Sequence, residues 1–355
     1  MRGHAGRLLA RVFVSVYITI LFLALCELFI SVLLPSVRPS PQAFFNPFAT
    51  DENRDAGVRE AFVSSYYLED PELFWRLNPG KGGGEISGEG FRAKRPYEEK
   101  KDSVYRILAI GDSCTFGVGA EGMESTYPAR LEAILGEGPG GERVEVINAG
   151  VPGYASLQGL RYLRKLLPRY KPDLVLVQFL HNDGVAWLDR PDSKVVVPGE
   201  SARKTMEMLR KWRFYELLKR CVLGLKRRAV RSGHPAGEKP CRVSPEEYER
   251  NLAEMAKLAK GLGAGVLLVV PPALPPYRFR PDFTDYRDAT MAAARETGAY
   301  LLDLTETFDA VDNARALFWK PEEDDLAHLN STGYALQAEV MAGRVRKIIG
   351  ERKPL

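Results

Sequence analysis

The chain has 355 residues, of which 45% are hydrophobic, so it is long enough for one large domain with additional segments. Its formal charge of +4 is too small to indicate nucleic acid as a partner. The four cysteines lack the paired spacing of a structural zinc site, and only four histidines are present to act as bases or ligands.

The first 35 residues predict a membrane anchor. Residues 12–34 contain Glu27 as their one charge, and a helix needs about 20 apolar residues to cross the bilayer core. Three arginines precede this stretch, so the positive-inside rule predicts a cytoplasmic N-terminus and an extracytoplasmic remainder. A secretory signal has a shorter apolar core, and a lipoprotein signal ending at Cys26 needs a small residue before the cysteine. We therefore expect an uncleaved single-pass anchor over residues 1–35.

Residues 36–103 predict a loop-rich N-terminal extension, because proline, glycine and charged residues are frequent there. The segment "PELFWRLNPG" at 71–80 also carries adjacent aromatic side chains. Large aromatic side chains favour burial, so we expect part of the extension to pack on the main domain.

From residue 104 onwards, short apolar runs alternate with helical patterns up to about residue 352. Five runs predict strands: "VYRILAIG", "RVEVINAG", "DLVLVQFL", "GVLLVVPP" and "AYLLDL". The third and fourth runs are apolar without alternation, which is typical of strands covered on both faces. Strands that alternate with helices predict a parallel sheet of about five strands between helical layers.

Residues 186–242 interrupt this alternation and predict a basic helical insert. Residues 203–232 carry eleven Lys or Arg and two Glu. A helix of this composition either packs on the domain as a solvated helix or rests on an anionic membrane or polyanionic surface polymer. The insert also contains Cys221 and Cys241, which can form a disulfide outside the cell.

Polar and glycine residues follow the first three predicted strands. Ser113 and Cys114 come directly after the first strand, Gly153 follows the second, and Asn182 follows the third. Ligands of an open parallel sheet bind at the carboxyl ends of its strands. We therefore expect these residues to converge at one edge of the sheet.

Ser113 is either a helix cap or a nucleophile. A phosphate site is disfavoured, because "GDSCTFG" lacks the Gly-Lys-Ser/Thr ending of a P-loop. A nucleophilic serine needs a base, and the base needs an orienting acid. His328 follows Asp325 by three residues, which puts both side chains on one side of a turn, while Asp324 is the competing acid. His181 lies near the expected site but has no acid at a comparable spacing.

An oxyanion formed during acyl transfer needs hydrogen-bond donors. The backbone N–H groups of Ser113 and Gly153 and the side-chain amide of Asn182 are the candidates. Cys114 is most simply a small buried side chain. Asn330, in the sequence Asn-Ser-Thr, is either a glycosylation acceptor or, more simply, the start of the last helix.

Four blocks in this order resemble the SGNH (GDSL-type) hydrolase superfamily over residues 104–350: "GDSCTFG", "NAGVPG", "LHND" and "DLAH". The resemblance implies a flavodoxin-like three-layer α/β/α sandwich and ester hydrolysis. It also implies that Ser113 is the nucleophile and that Asp325 and His328 complete the catalytic triad. By the same resemblance, Gly153 and Asn182 complete the oxyanion hole.

Two positions depart from the family pattern. Cys114 stands where the family has leucine after the serine, and Leu180 stands where the third block has glycine. The second departure affects the pocket next to Asn182 but leaves that donor in place.

These features predict a serine esterase that removes short acyl groups, most simply acetyl, from cell-envelope glycans without a metal or an organic cofactor. Tyr154 and Trp187 are the candidate sugar-stacking side chains. An O-acyltransferase acting on a surface polysaccharide would use the same triad, and a non-catalytic glycan-binding or assembly protein would keep the fold alone.

Overall fold

The computed structural model describes residues 2–34, 66–81, 83–138, 141–185, 191–195, 200–215, 217–218, 221–222, 241–323 and 325–351. The chain divides into two compact units, one made of residues 1–44 and 198–238 and the other of residues 45–197 and 239–355.

The helices and strands follow one another in this order. The first half contains α1 (Arg2–Leu33), β1 (Tyr67–Asp70), β2 (Phe74–Leu77), β3 (Val104–Gly111), α2 (Ser113–Phe116), α3 (Tyr127–Leu135), β4 (Arg143–Gly150), α4 (Ser156–Tyr170) and β5 (Leu174–Gln178). The second half contains α5 (Glu200–Arg210), α6 (Pro245–Gly261), β6 (Gly265–Val270), α7 (Pro281–Thr297), β7 (Tyr300–Asp303), α8 (Thr305–Asp309) and α9 (Ser331–Glu351).

The larger unit is built on a five-stranded parallel sheet in the order β4-β3-β5-β6-β7. This is the order of flavodoxin-like doubly wound sheets, so the predicted fold class is confirmed. The strand β3 is an interior strand, pairing Leu108 with Ile147 of β4 and with Val175 of β5. Its carboxyl end therefore lies between those of β4 and β5.

Helical layers cover both faces of the sheet. Alternate residues of β3 illustrate this arrangement, because Leu108 packs in one buried hydrophobic cluster and Ile107 in the other. The first cluster includes side chains of α4, α6 and α7, and the second includes side chains of α3 and α9. Two covered faces explain why the strand sequences are apolar throughout.

The N-terminal extension contributes to the first of these clusters. Strands β1 and β2 form an antiparallel hairpin, and Phe74 and Trp75 of β2 are buried. Phe91 and Tyr97, further along the extension, are buried in the same cluster. The prediction that part of the extension packs on the main domain is confirmed.

The last helix begins at a side-chain cap. Asn330 Oδ1 accepts hydrogen bonds from the N–H groups of Thr332 and Gly333, each at 3.0 Å. These N–H groups belong to the first turn of α9 and have no partner within the helix. The structure therefore gives Asn330 the helix-start role expected from the sequence.

The smaller unit contains α1 and α5. Residues Phe13–Leu33 of α1 have a mean hydropathy of 2.5, which makes this stretch long and apolar enough to cross a membrane. A signal sequence passes the same test of length and composition. Glu27 accepts hydrogen bonds from the backbone N–H groups of Arg213 and Phe214, each at 2.9 Å.

Much of the predicted basic insert, including residues 223–240, lies outside the described residues. Cys221 and Cys241 belong to different compact units, and both are free thiols. The disulfide considered between them is therefore not formed in the structure.

Candidate active site

Ser113 is positioned by the junction between β3 and α2. Asp112 is the cap of α2, since its Oδ1 accepts the N–H of Cys114 at 2.8 Å. The glycine at 111 is required by close packing, because a Cβ there would lie 2.8 Å from the Cβ of Thr115. Asp112 caps the helix, which leaves the Ser113 hydroxyl available for another partner.

That partner is His328. The distance between His328 Nε2 and Ser113 Oγ is 2.7 Å. The other ring nitrogen, Nδ1, lies 2.8 Å from Asp325 Oδ2 and 3.0 Å from Oδ1. The structure thus brings together the serine, histidine and aspartate that the sequence pattern predicts.

The loop around Asp325 fixes its carboxylate. Its Oδ1 accepts the backbone N–H of His328 at 3.0 Å and that of Ala327 at 3.3 Å. Burial by itself would raise the pKa of Asp325, but the ring and charge of His328, together with these two N–H groups, outweigh burial and lower the pKa. The carboxylate is therefore ionised at neutral pH. The competing acid, Asp324, lies outside the described residues.

His181 is near the site but has a different environment. Its side chain is half-buried with Nε2 shielded from solvent, and its Nδ1 lies 3.1 Å from the hydroxyl of Tyr277. Burial, followed by the nearby His328, lowers the pKa of His181 to about 3, so its ring is neutral at physiological pH. Within the described residues, no group of three His, Cys, Asp or Glu side chains is placed to hold a metal ion.

Cys114 does not share the position of Ser113. Its side chain is buried, and its Sγ lies 3.8 Å from the carbonyl oxygen of Ala327. Burial, followed by the charges of Asp112 and Asp325, raises the pKa of the thiol well above its usual value. Since the thiolate is the nucleophilic form, these surroundings favour the serine as the nucleophile.

The candidate oxyanion donors lie at the same edge of the sheet. Gly153 follows β4 and has a φ of 81°, which glycine adopts without steric cost. Asn182 Nδ2 donates to the Tyr154 carbonyl at 3.0 Å and lies 3.3 Å from Asp112 Oδ2. The amide is therefore adjacent to the residue that precedes Ser113.

The departure at Leu180 is accommodated by an unusual backbone conformation. Leu180 has a φ of 157° and is fully buried. Its carbonyl accepts the N–H of Asp183 at 3.1 Å, which closes the turn that carries Asn182. Leucine has thus replaced the family's glycine without removing the amide from the site.

Two carboxyl groups beside the site are fully buried. Burial raises the pKa of Asp112 to about 6 and that of Asp183 to about 7. Asp183 Oδ1 accepts the N–H of Ser156 at 2.9 Å, at the first residue of α4. Both groups therefore change charge close to neutral pH.

Two side chains that no sequence pattern predicted to be near the site contact the loop after β4. Trp75 Nε1 donates to the Pro152 carbonyl at 3.1 Å, and Arg242 Nη1 donates to the Gly153 carbonyl at 2.6 Å. The aromatic composition of residues 71–80 indicated burial but not this contact. No local pattern distinguishes Arg242 from the other arginines of the insert.

The prediction that Tyr154 stacks on a sugar is wrong. Tyr154 is fully buried, and its hydroxyl donates to the Trp75 carbonyl at 2.5 Å, because the loop turns this side chain into the core. Trp187 lies outside the described residues. Trp319 is half-buried, and its ring centroid lies 6.4 Å from that of His328. It is therefore the aromatic side chain nearest to the proposed base among the ring pairs of the described residues.

A parallel sheet with a Ser–His–Asp set at its carboxyl edge is the arrangement of α/β serine hydrolases. Within that class, the model of the GDSL-like Lipase/Acylhydrolase family matches residues 109–336. The chain belongs to this family.

Individual proteins that are similar to this chain share limited sequence identity or limited coverage with it. An arylesterase of Vibrio mimicus is 36% identical over 80 residues, which are 22% of this chain and 38% of that protein, so the match spans little more than a third of the relative. A lipase/acylhydrolase from Enterococcus faecalis is 21% identical, with 71% of this chain and 98% of that chain covered and a TM-score of 0.46. An acetylxylan esterase from Geobacillus stearothermophilus is 18% identical, with 68% and 94% covered and a TM-score of 0.42.

Proposed function

We propose that this protein hydrolyses carboxylic esters through an acyl-enzyme formed on Ser113. The observation that carries the proposal is the 2.7 Å distance between Ser113 Oγ and His328 Nε2. His328 takes the hydroxyl proton as Oγ attacks the ester carbonyl, and Asp325 stabilises the imidazolium that forms. The alcohol leaves with that proton, and a water molecule then releases the acid by the same steps in reverse order.

The negative charge on the tetrahedral intermediate is stabilised by the N–H groups of Ser113 and Gly153 and by the Asn182 amide. Asn182 is 3.3 Å from Asp112 Oδ2, which is long for a hydrogen bond. The substrate oxygen replaces this weak contact when the intermediate forms. The contact to the Tyr154 carbonyl at 3.0 Å keeps the amide in place meanwhile.

Labelling with a fluorophosphonate separates an enzyme from a protein that only binds glycans. The full chain, solubilised in detergent, is treated with the probe, and the modified peptide is identified by mass spectrometry. We expect modification at Ser113 in the wild type and none in Ser113→Ala. A wild-type chain that is folded but does not react would favour the glycan-binding or assembly function.

The proposed substrates are short acyl esters, chiefly acetyl esters, on glycans of the cell envelope. The residues that follow β4 and β5, "VPGYASLQG" and "HNDGVAWLDR", are mostly polar, and they offer no long apolar run for a fatty acyl chain. Family membership and the arylesterase relative support an ester as substrate. An O-acyltransferase remains the second candidate, because it differs only in the acceptor that reaches the acyl-enzyme.

Rates on a series of esters from acetyl to decanoyl, measured with and without added oligosaccharide, test this substrate class. We expect acetyl esters to be cleaved much faster than decanoyl esters, with water as the main acceptor. A preference for long chains would contradict the glycan proposal. Efficient acetyl transfer to the sugar with slow hydrolysis would assign the protein to the acyltransferases.

The localisation proposed is a single-pass membrane protein with α1 as its uncleaved anchor. The proposed arrangement is a cytoplasmic tip and anchor at 1–35, an extension at 36–103 and an extracytoplasmic catalytic domain at 104–352. The apolar stretch Phe13–Leu33 and the arginines before it support this orientation. Protease added to intact spheroplasts should remove a C-terminal tag and leave the N-terminal tag protected. A protein released into the medium, without α1, would instead identify a signal sequence.

The basic insert is proposed to lie on an anionic membrane surface. Glu27 is six residues from the end of α1, and it accepts the N–H groups of Arg213 and Phe214. A helix rises about 1.5 Å per residue, so this contact lies within about 10 Å of the end of the apolar helix. In the part of the insert that the structure describes, Met208 and Trp212 are exposed apolar side chains close in sequence to exposed lysines.

Accessibility of Cys221, an exposed thiol in the insert, tests this contact. The full chain carrying Cys241→Ser is placed in lipid nanodiscs and labelled with a membrane-impermeant maleimide. We expect slower labelling in nanodiscs that contain phosphatidylglycerol than in phosphatidylcholine alone. The Lys204→Glu/Lys211→Glu variant should remove the difference. Equal rates in both lipids would contradict membrane contact, as would slowing by a soluble polyanion alone.

A further inference from the structure

The loop after β4 carries the N–H group of Gly153, one of the proposed oxyanion donors. In a trans peptide, the carbonyl of one residue and the N–H of the next share a plane and point in opposite directions. The direction of the Gly153 N–H is therefore set by whatever holds the Pro152 carbonyl. Gly153 has a φ of 81°, which glycine adopts without steric cost, so the contacts of the loop rather than backbone sterics decide how this peptide is oriented.

The Pro152 carbonyl is held by a residue of the N-terminal extension. Trp75 Nε1 donates to it at 3.1 Å, and Trp75 is buried on strand β2. In the reverse direction, the Tyr154 hydroxyl donates to the Trp75 carbonyl at 2.5 Å. The two rings also pack edge to face, with centroids 5.5 Å apart. The extension and the loop are thus joined by two hydrogen bonds and an aromatic contact.

The following carbonyl, that of Gly153, is held by Arg242. The distance from Arg242 Nη1 to this oxygen is 2.6 Å. The guanidinium is itself fixed by Asp192, whose Oδ2 lies 3.1 Å from Nε and 2.9 Å from Nη2. The side chains of this ion pair are 4% and 0% exposed, so it is screened little by solvent. Gln158 completes the group by donating to Asp192 at 2.8 Å.

Three consecutive carbonyls of the loop are therefore bound by side chains from three separate segments. Trp75 binds the first, Arg242 binds the second, and Asn182 binds the third. The Trp75 contact constrains the peptide plane between Pro152 and Gly153, which carries the oxyanion donor. The Arg242 and Asn182 contacts fix the two peptide planes that follow it, so the loop cannot rotate at Gly153 without breaking them.

We propose that Trp75 and Arg242 are positioning residues that hold the Gly153 N–H in the oxyanion hole, which makes the N-terminal extension a working part of the catalytic site. The inference rests on the proposed ester hydrolysis, and it adds Trp75 as a required residue from outside the family-matched residues 109–336, within which Arg242 lies. A residue that only stabilises the fold would lower the melting temperature without a specific effect on the transition state.

The main test compares Trp75→Phe with Tyr97→Phe in the full chain. Trp75→Phe removes the N–H donor but keeps an aromatic ring. Tyr97 also belongs to the extension, and its hydroxyl donates to a backbone carbonyl, that of Val146, at 3.0 Å. Each variant therefore loses one buried hydrogen bond between the extension and the β4 region, but only Trp75→Phe loses a bond to the loop.

We expect Trp75→Phe to lower kcat by about 10-fold to 100-fold, with KM changed by less than about two-fold. The inhibition constant of a trifluoromethyl ketone, which forms an oxyanion on the serine, should rise by the same factor as kcat/KM falls. Tyr97→Phe should leave kcat and this inhibition constant within about two-fold of wild type, even if its melting temperature falls.

Two more conservative variants test the same contacts if Trp75→Phe destabilises the folded protein. Incorporation of 3-benzothienylalanine at position 75 keeps the bicyclic shape and lacks the N–H donor. Arg242→Lys keeps a cation beside Asp192 but lacks the planar fork that also reaches the Gly153 carbonyl. Both should reproduce the loss of kcat at a melting temperature close to that of the wild type.

The inference is overturned if these variants match Tyr97→Phe in kcat, or if KM rises while kcat is unchanged, because either result assigns a role other than transition-state positioning. If the proposed ester hydrolysis itself is incorrect, the experiment gives a different result. In that case, the wild-type chain itself neither turns over esters nor reacts with the fluorophosphonate.

Discussion

Ser113 Oγ lies 2.7 Å from His328 Nε2, although the two residues are 215 positions apart in the chain. The parallel sheet accounts for this approach, since Ser113 follows the interior strand β3 and His328 precedes the helix α9 that packs on the same sheet. The distance is short enough for proton transfer between serine and imidazole without any movement of the backbone.

Removal of either partner in this pair should abolish esterase activity. We expect Ser113→Ala and His328→Ala each to lower kcat by about 10⁴-fold or more, and the double variant to lose little more, because the two side chains act as one unit. Steady-state hydrolysis of an acetyl ester measures the effect. Cys114→Ala is the control and should retain activity. Loss of activity in Cys114→Ala with retention in Ser113→Ala would make the cysteine the nucleophile.

Asn182→Ala should lower kcat by about 10²–10³-fold with a modest change in KM, as expected for loss of one oxyanion donor. Asn251→Ala is a matched control, because Asn251 is a buried asparagine whose Nδ2 donates to Ser156 Oγ at 3.0 Å. The control should lose stability but keep kcat. A ten-fold or smaller effect of Asn182→Ala would mean that the turn at Leu180 directs the amide away from the intermediate.

Asp183 should make stability depend on pH. Burial raises its pKa in the folded protein to about 7 from a usual value of 3.8, so the folded state favours the protonated form. Its contribution to stability is complete below about pH 4 and is lost as the pH rises through about 7. Asp183→Asn keeps an oxygen acceptor for the Ser156 N–H without the buried charge.

As the pH rises from 5 to 8, we therefore expect the wild type to lose on the order of 2–3 kcal/mol of unfolding free energy relative to Asp183→Asn. Thermal unfolding of both proteins at the two pH values measures the difference. Asp112, whose pKa is also raised, is present in both proteins, and its charge is one of the smaller causes that raise the pKa of Asp183. Asp288→Asn, at an exposed position on α7, should show no such trend, and a pH-independent difference for Asp183→Asn would refute the prediction.

Trp319 should matter for glycan esters more than for small esters. Its ring is half-buried beside His328, and an aromatic ring offers an apolar face on which a sugar can stack. We expect Trp319→Ala to lower kcat/KM about ten-fold for an acetylated oligosaccharide, mainly through KM, with little change for 4-nitrophenyl acetate. The small ester is the internal control. Equal losses on both substrates would show that Trp319 supports His328 rather than the sugar.

The amino-acid sequence by itself determines the architecture and most of the candidate site. Unbroken apolar runs such as residues 265–270 identify strands covered on both faces, and the structure forms a strand there. Because parallel strands end at a common edge, the positions of Ser113, Gly153 and Asn182 after successive strands were enough to predict their convergence. The spacing of Asp325 and His328 is also local, so a short turn brings the pair together.

Only the tertiary structure decided which side chains contact that site and which are buried elsewhere in the core. The local sequence around Tyr154 predicts an exposed aromatic side chain, but the fold buries it against Trp75. The contacts of Trp75 with Pro152 and of Arg242 with Gly153 join residues 77 and 89 positions apart. Periodicity and turn chemistry act over a few residues, whereas a contact of this length depends on the packing of several elements at once and leaves no local pattern.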